Sequence, residues 1–185
     1  MATQADYRTR VGYILGYNIG TSSSPTSTEV DQWIIDGANL IKKYAAPENL
    51  DRLLESTSIA MGGSGVYTGS LPSDFLRDVY VYDSSNDPLD KVTPHEVGYL
   101  VRSNNTYHNS TKVYAIIGSA IASGQYGSLI LTYLSEAEAG DIANIPIEYE
   151  ELLVDYGVLQ ARRQEDNFQQ YLPLFQKWVA EIKNV

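Results

Sequence analysis

The residues best able to do chemistry are few, and their surroundings are plain. His95 and His108 are the two histidines of the chain. His95 is followed by Glu96, but neighbours along a strand point to opposite faces, so the pair does not converge on a metal, and both histidines read as structural or solvent-facing. Ser73 and Asp74 in LPSDF would need a histidine base at a motif spacing and a sharp Gly-x-Ser-x-Gly turn, and neither accompanies them. Glu148, Glu150 and Glu151 offer paired carboxylates for acid-base work. Their place in a first helical turn, where the backbone dipole is positive, already accounts for them. The glycine-rich run MGGSGVYTG has no lysine to grip a phosphate and no strand-to-helix setting, so it reads as a flexible loop or hairpin. With 0 cysteines, disulfides, thiolate metal sites and cysteine nucleophiles are excluded. No catalytic, cofactor-binding or metal-binding residue is assigned, and the chain reads as a non-enzyme.

The elements that carry these residues follow from hydrophobic period. Tyr7, Val11, Ile14 and Leu15 fall at helical spacing within residues 5–17. A Ser/Thr/Gly-rich connector leads to Thr28, which with Asp31 resembles a capping box opening a helix that buries Val30, Trp33, Ile34, Gly37, Ile41 and Tyr44. Pro47 starts a further short helix, PENLDRLLE, with Leu50, Leu53 and Leu54 inward. From Ser56 the period shifts toward 2. Strands are expected over Phe75–Tyr82, Val97–Arg102, Lys112–Gly118, Ser119–Ala122 and Ser128–Leu134, parted by turns at SSNDP, NNTYHNST and SGQYG. After a polar linker, Pro146 opens a helix along Tyr149, Leu152, Leu153 and Tyr156. The last apolar stripe holds Phe175, Trp178, Val179 and Ile182, and Pro173 within it predicts a kink or a fresh helix start.

The fold class expected from this order is α+β: a helical bundle formed by the N- and C-terminal helices, with an inserted small antiparallel β-sheet or barrel section. The divisions fall at 1–56, 57–140 and 141–185. Formal charge is −10 overall, distributed as −2 (5 basic, 7 acidic), −4 (4 against 8) and −4 (4 against 8) over those three spans. No span is basic, so a phosphate-gripping surface is not expected. No apolar run has the length of a signal-peptide core or a membrane span, which predicts synthesis in the cytoplasm and no membrane partner. Tyrosine stands out at 15 copies against 3 phenylalanines and 2 tryptophans, a composition suited to half-buried strands and interfaces.

The sequence of a capped helix TEVDQWIIDGANLIKKY, a β section entered through LPSDFLRDVYVY and left through GSLILTYL, and then IPIEYEELLVDYGVLQARRQED before a final amphipathic helix resembles the head-to-tail adaptor (connector) proteins of tailed bacteriophages. The resemblance implies a virion structural protein of the neck, between capsid and tail, assembled in the host cytoplasm. It implies a homo-oligomeric ring, of twelve copies, bound beneath the portal protein and offering a platform to a tail or nozzle protein. DNA would pass through without specific binding, and the portal would be docked by the stripe of Phe175, Trp178, Val179 and Ile182. An alternative from a different class is a carbohydrate- or surface-binding β module on a helical stalk in a phage tail, motivated by Tyr67, Tyr80, Tyr82, Tyr99, Tyr107, Tyr114 and Tyr126.

Overall fold

The computed structural model describes residues 2–102, 112–165 and 168–185. Along the chain these form α1 (Gln4–Leu15), α2 (Ser27–Tyr44), β1 (Leu54–Ser64), β2 (Val66–Ser70), β3 (Phe75–Asp83), β4 (Asp90–Lys91) and α3 (Pro94–Arg102). There follow β5 (Val113–Ile117), β6 (Ala120–Ser123), β7 (Gly127–Ser135), α4 (Glu150–Glu165) and α5 (Phe168–Ile182). The chain divides into two compact units, Met1–Leu53 with Glu136–Val185, and Leu54–Ser135.

In the helical unit, α1 and α2 start the same way. Thr3 and Thr26 each accept a hydrogen bond from the backbone N–H three residues on, and Asp6 and Glu29 each accept one from the cap backbone N–H. Two donors that a helix start leaves orphaned are thereby satisfied at each end. The capping residue of α2 is therefore Thr26, not Thr28, since Glu reaches back to the cap backbone where Asp31 does not. Asp31 is instead engaged sideways by Arg8 of α1 at 2.5 Å. α1 ends on Gly16 at φ 81, a left-handed position that glycine takes without strain. PENLDRLLE forms no α-helix: it makes two 3₁₀ turns, Pro47–Asn49 and Asp51–Leu53, before β1 begins. Pro146 likewise precedes a 3₁₀ turn, Ile147–Tyr149, and the α-helix proper starts at Glu150.

α4 is the spine of this unit. Leu152, Leu153, Val154, Tyr156, Gly157 and Ala161 are buried along it, and α1, α2 and α5 all pack on it. Two glycines set the close approaches. A Cβ on Gly157 would lie 2.8 Å from Val11 Cγ2 of α1, and one on Gly37 of α2 would lie 3.0 Å from the Tyr156 ring. α5 is one helix with Pro173 inside it, not two pieces. Pro173 lies one turn past the start of α5, so only one intrahelical hydrogen bond is forfeited near a helix end.

The second unit is a seven-stranded sheet in the order β3-β7-β1-β2-β6-β5-β4. All neighbours are antiparallel except β4 and β5, which run parallel through Asp90 with Val113 and Lys91 with Tyr114. The two ends of that order are brought together: Leu89 N–H donates to Val81 O at 2.8 Å and Tyr82 forms a bridge with Pro88, so the sheet is nearly closed in the manner of a barrel. The fold class expected from sequence is thus corrected. The described residues form an α+β fold with a dominant seven-stranded mixed sheet and five helices, and not a helical bundle carrying a small antiparallel insert.

Period-2 alternation builds its core. Leu129, Leu131 and Tyr133 of β7 turn inward with Ile59 and Met61 of β1, Val81 of β3 and Ile121 of β6. β5 is covered on both faces: Tyr114 and Ile116 face that cluster, whereas Val113 and Ala115 join Val97 of α3 and Ala122 in a second one. The Val97–Arg102 run is therefore helix rather than strand. Thr93 accepts from Glu96 N–H at 3.3 Å while Glu96 accepts from Thr93 N–H at 2.9 Å, a third reciprocal cap. Of the two readings of the glycine-rich run, hairpin and loop, the structure has the hairpin. β1 extends through Gly62 and Gly63 and turns at Gly65 into β2, with Gly63 at φ 115 and Gly65 at φ 80. Gly69 of β2 is required by contact, because a Cβ there would fall 2.3 Å from Ile59 Cγ2 and 2.8 Å from Ala60 O.

Candidate functional site

Among the described residues no group of three or more His, Cys, Asp or Glu side chains converges to hold a metal. His95 is exposed on the first turn of α3, and His108, with Tyr107 and the NNTYHNST turn, lies outside the described residues. Ser73 and Asp74 form the turn into β3, closed by Phe75 N–H to Pro72 O at 3.2 Å, and Asp74 accepts from Tyr133 OH at 3.4 Å. That is an anchoring contact with no nucleophile in it. Glu150 and Glu151 are held by Arg10 of α1, Glu150 at 3.7 Å and Glu151 closer still. Tyr7, buried and facing Glu150, has its phenol pushed up to about 12, by burial first and the carboxylate second.

The buried polar groups of the sheet unit serve its own architecture. Asp78 accepts from Lys91 Nζ and from Tyr114 OH, both at 2.7 Å, which ties β3 to β4 and β5. Burial and then Asp78 raise the Tyr114 phenol far above its ordinary value, so it stays protonated and donates. Asp83 receives the backbone N–H groups of Ser85 and Asp87 at 2.8 and 3.0 Å, fixing the SSNDP turn.

No known protein family and no curated protein matches the chain. The α5 stripe and the tyrosines are candidate surfaces, and they are judged by exposure. The α5 stripe is turned inward. Trp178 is 3% and Ile182 1% exposed, Phe175 and Val179 are half-buried, and the Trp178 indole N–H donates to Leu152 O of α4 at 2.8 Å. Phe175 and Trp178 stack along α5, and Tyr156 of α4 packs against both at a tilt, its centroid 4.9 Å from that of Trp178. In the single chain these four residues hold α5 to its own unit. Leu174, at 46% exposed, stands at the mouth of a shallow groove between α4 and α5 with Val158 and Leu159 on its floor.

The tyrosines named from sequence separate into groups. Tyr114 is core, Tyr67 and Tyr126 meet edge to face at 5.4 Å, and Tyr80 and Tyr82 lie side by side at 6.2 Å on β3. No ring contact joins the two pairs among the described residues. A larger depression of about 620 Å³ lies in the helical unit, lined by Glu48, Asp51, Arg52, Asn144, Ile147 and Glu148 among others. Ile147 is 74% exposed there, an aliphatic side chain standing in water beside carboxylates, which period analysis passes over because it precedes the helical stripe.

Proposed function

We propose that the protein is a virion structural component of the phage neck, a head-to-tail adaptor that binds beneath the portal as a ring, probes no chemistry of its own, and lines part of the DNA conduit. The observation that carries this reading is the arrangement of the helical unit. Its two halves, contributed by chain segments on either side of the sheet unit, pack through α4 with α1, α2 and α5, and they leave Ile147 at 74%, Tyr13 at 88% and Leu174 at 46% exposed, apolar side chains that neighbours in a ring would cover. The reading rests on the sequence resemblance. Contacts between dissimilar surfaces of identical copies close into rings when the rotation closes. A net charge of −10 suits a conduit wall that does not hold the phosphate backbone, so that DNA slides.

In this reading the helical unit contacts the portal and neighbouring copies, and the sheet unit offers its surface to a tail or nozzle protein. Docking through Phe175, Trp178, Val179 and Ile182 requires α5 to swing away from α4, because those side chains face inward in the single chain. The test is to mix the purified chain with the portal protein of the same virion and measure mass and symmetry. A complex carrying a ring of copies is expected. A chain that stays monomeric beside an assembled portal overturns the reading.

A further inference from the structure

The seams of the sheet differ in what holds them. β7 runs against β1 from Leu54 to Met61 and against β3 from Phe75 to Asp83, and Leu129, Leu131 and Tyr133 fill the core from it. β4 is only Asp90 and Lys91, both exposed. On the β5 side Asp90 N–H donates to Lys112 O at 2.9 Å and Val92 N–H to Tyr114 O at 2.8 Å. On the β3 side no backbone bond reaches β4 among the described residues, and the one from Leu89 N–H to Val81 O is made before it starts. A side chain ties β4 to β3 instead. Lys91 Nζ donates to Asp78 Oδ1 at 2.7 Å, and the Asp78 side chain, 7% exposed, also accepts from Tyr114 OH. α3, which follows, is anchored lightly. Val97 is buried against Val113, Ala115 and Ala122 with Val92 and Leu100 packed beside it, while Pro94, His95, Glu96 and Tyr99 stand in solvent. Leu89, by contrast, belongs to the main core.

We infer that residues 90–102, β4 with α3, form a strap that lifts from the sheet as one unit, pivoting after Leu89 and latched by Lys91 on Asp78. The argument compares what each opening breaks. Lifting the strap breaks two backbone bonds, the contacts of Val92, Val97 and Leu100, and one ion pair whose lysine is already 55% exposed. Parting β7 from a neighbour breaks a long ladder and wets Leu129, Leu131 and Tyr133. Local opening follows the smaller loss of buried contacts, so the strap moves while the core holds. Asp78 sets the balance, because a hydrogen bond to a charged group is worth more than a neutral one. Tyr114 keeps its bond to Asp78 after the lift, so the carboxylate is not left bare. The lift uncovers Val113 and Ala115 of β5 and Ala122 of β6, an apolar face hidden in the closed form. This device belongs to the sheet unit and stands whether or not the adaptor reading does.

Hydrogen exchange of the full chain, read by mass spectrometry, tests it. Peptides from 90–102 should exchange as a group and faster than those from β1 and β7. Lys91→Met keeps the aliphatic stem and removes the latching charge from an exposed position, and it should speed exchange across α3 about tenfold with β7 unchanged. Asp78→Asn should act in the same direction on the same peptides. Lys177→Met, which removes an exposed ion pair in α5, should leave the strap as it was. The response of α3 to Lys91 is the decisive reading, since a helix that merely frays exchanges fast but ignores a charge outside it. Exchange of 90–102 at the β7 rate in the unaltered chain overturns the inference. So does a Lys91→Met chain in which α3 is unmoved, or in which β1 and β7 accelerate equally.

Discussion

Trp178 shows how a residue singled out for one role serves another. Its spacing with Phe175, Val179 and Ile182 was legible as an apolar stripe, but a stripe does not say which partner it meets, and here it meets α4. Truncating a buried tryptophan removes a large contact area and opens a cavity, so Trp178→Ala should cost about 3–5 kcal/mol. Trp178→Phe keeps most of the packing and gives up the indole N–H bond to Leu152 O, a loss of about 1 kcal/mol. Denaturant midpoints of the two variants check the ordering. Equal midpoints would mean that α5 is not held by this ring.

Tyrosine chemistry gives a pH prediction at the same scale. Burial pushes the phenols of Tyr7, Tyr133 and Tyr156 up to about 12, from an ordinary 10. The folded value is above the unfolded one, so folding favours the protonated phenol. Their stabilisation is fully present below pH 10, declines above it, and is lost as pH rises through about 12. Alkaline titration followed by phenolate absorbance and circular dichroism should show ionisation and loss of structure together in that window. Structure unchanged through pH 12 would contradict the burial of these rings.

At the scale of elements, the sequence was read best where apolar runs are bounded by clear caps or turns. α2 and the strands β3, β5, β6 and β7 carry clean periods, and the structure has them within a residue or two of the expected bounds. The misreadings share a cause. β1 is long, and of its residues only Ile59 and Met61 are buried side chains, while its glycines show no face at all. The α3 run Pro94–Arg102 was ambiguous because nine residues with Val97, Leu100 and Val101 satisfy either period. Its Thr93–Glu96 cap is the signal that decides for helix, as the Thr26–Glu29 pair is for α2, where the sequence reading had set the cap at Thr28 and Asp31. The capping carboxylates Asp6, Glu29 and Glu96 are all held below their usual range, chiefly by the hydrogen bond from the Thr backbone. Their contribution is present above the ordinary carboxylate value and fades as pH falls through the lowered one, so α1, α2 and α3 should fray at their starts in acid. Amide exchange at those first turns measures it.

The helix crossings give a sharper test of packing. Gly157→Ala improves helix propensity by about 1 kcal/mol, but its methyl would sit 2.8 Å from Val11 Cγ2. Overpacking of this kind costs about 1–3 kcal/mol, so the net change should be destabilising. Val11→Ala in the same chain should recover part of the loss by making room. A stabilised Gly157→Ala would show that α1 and α4 are less closely apposed than described. None of this was legible from sequence, where Gly157 reads only as a weak point in a helix.

For the whole molecule, composition and order were informative and the balance between parts was not. An acidic, cysteine-free chain with helices on either side of strands was legible, whereas the near-closure of seven strands depends on the Leu89 to Val81 and Asp78 to Lys91 contacts between segments far from obvious in period. With no catalytic constellation assigned from the sequence, a function is sought on surfaces, and the exposed Ile147 and the α4–α5 groove are two that carry apolar side chains. Because every copy carries −10, association should strengthen as salt screens the repulsion between copies. Sedimentation across a salt series follows this, and weakening with salt would point to a contact dominated by charge pairs.

The central claim is tested most directly by imaging the chain mixed with the portal protein of its virion under the electron microscope. The account predicts a closed ring of identical copies seated on one face of the portal. A portal left bare, with the chain free in solution, would contradict it.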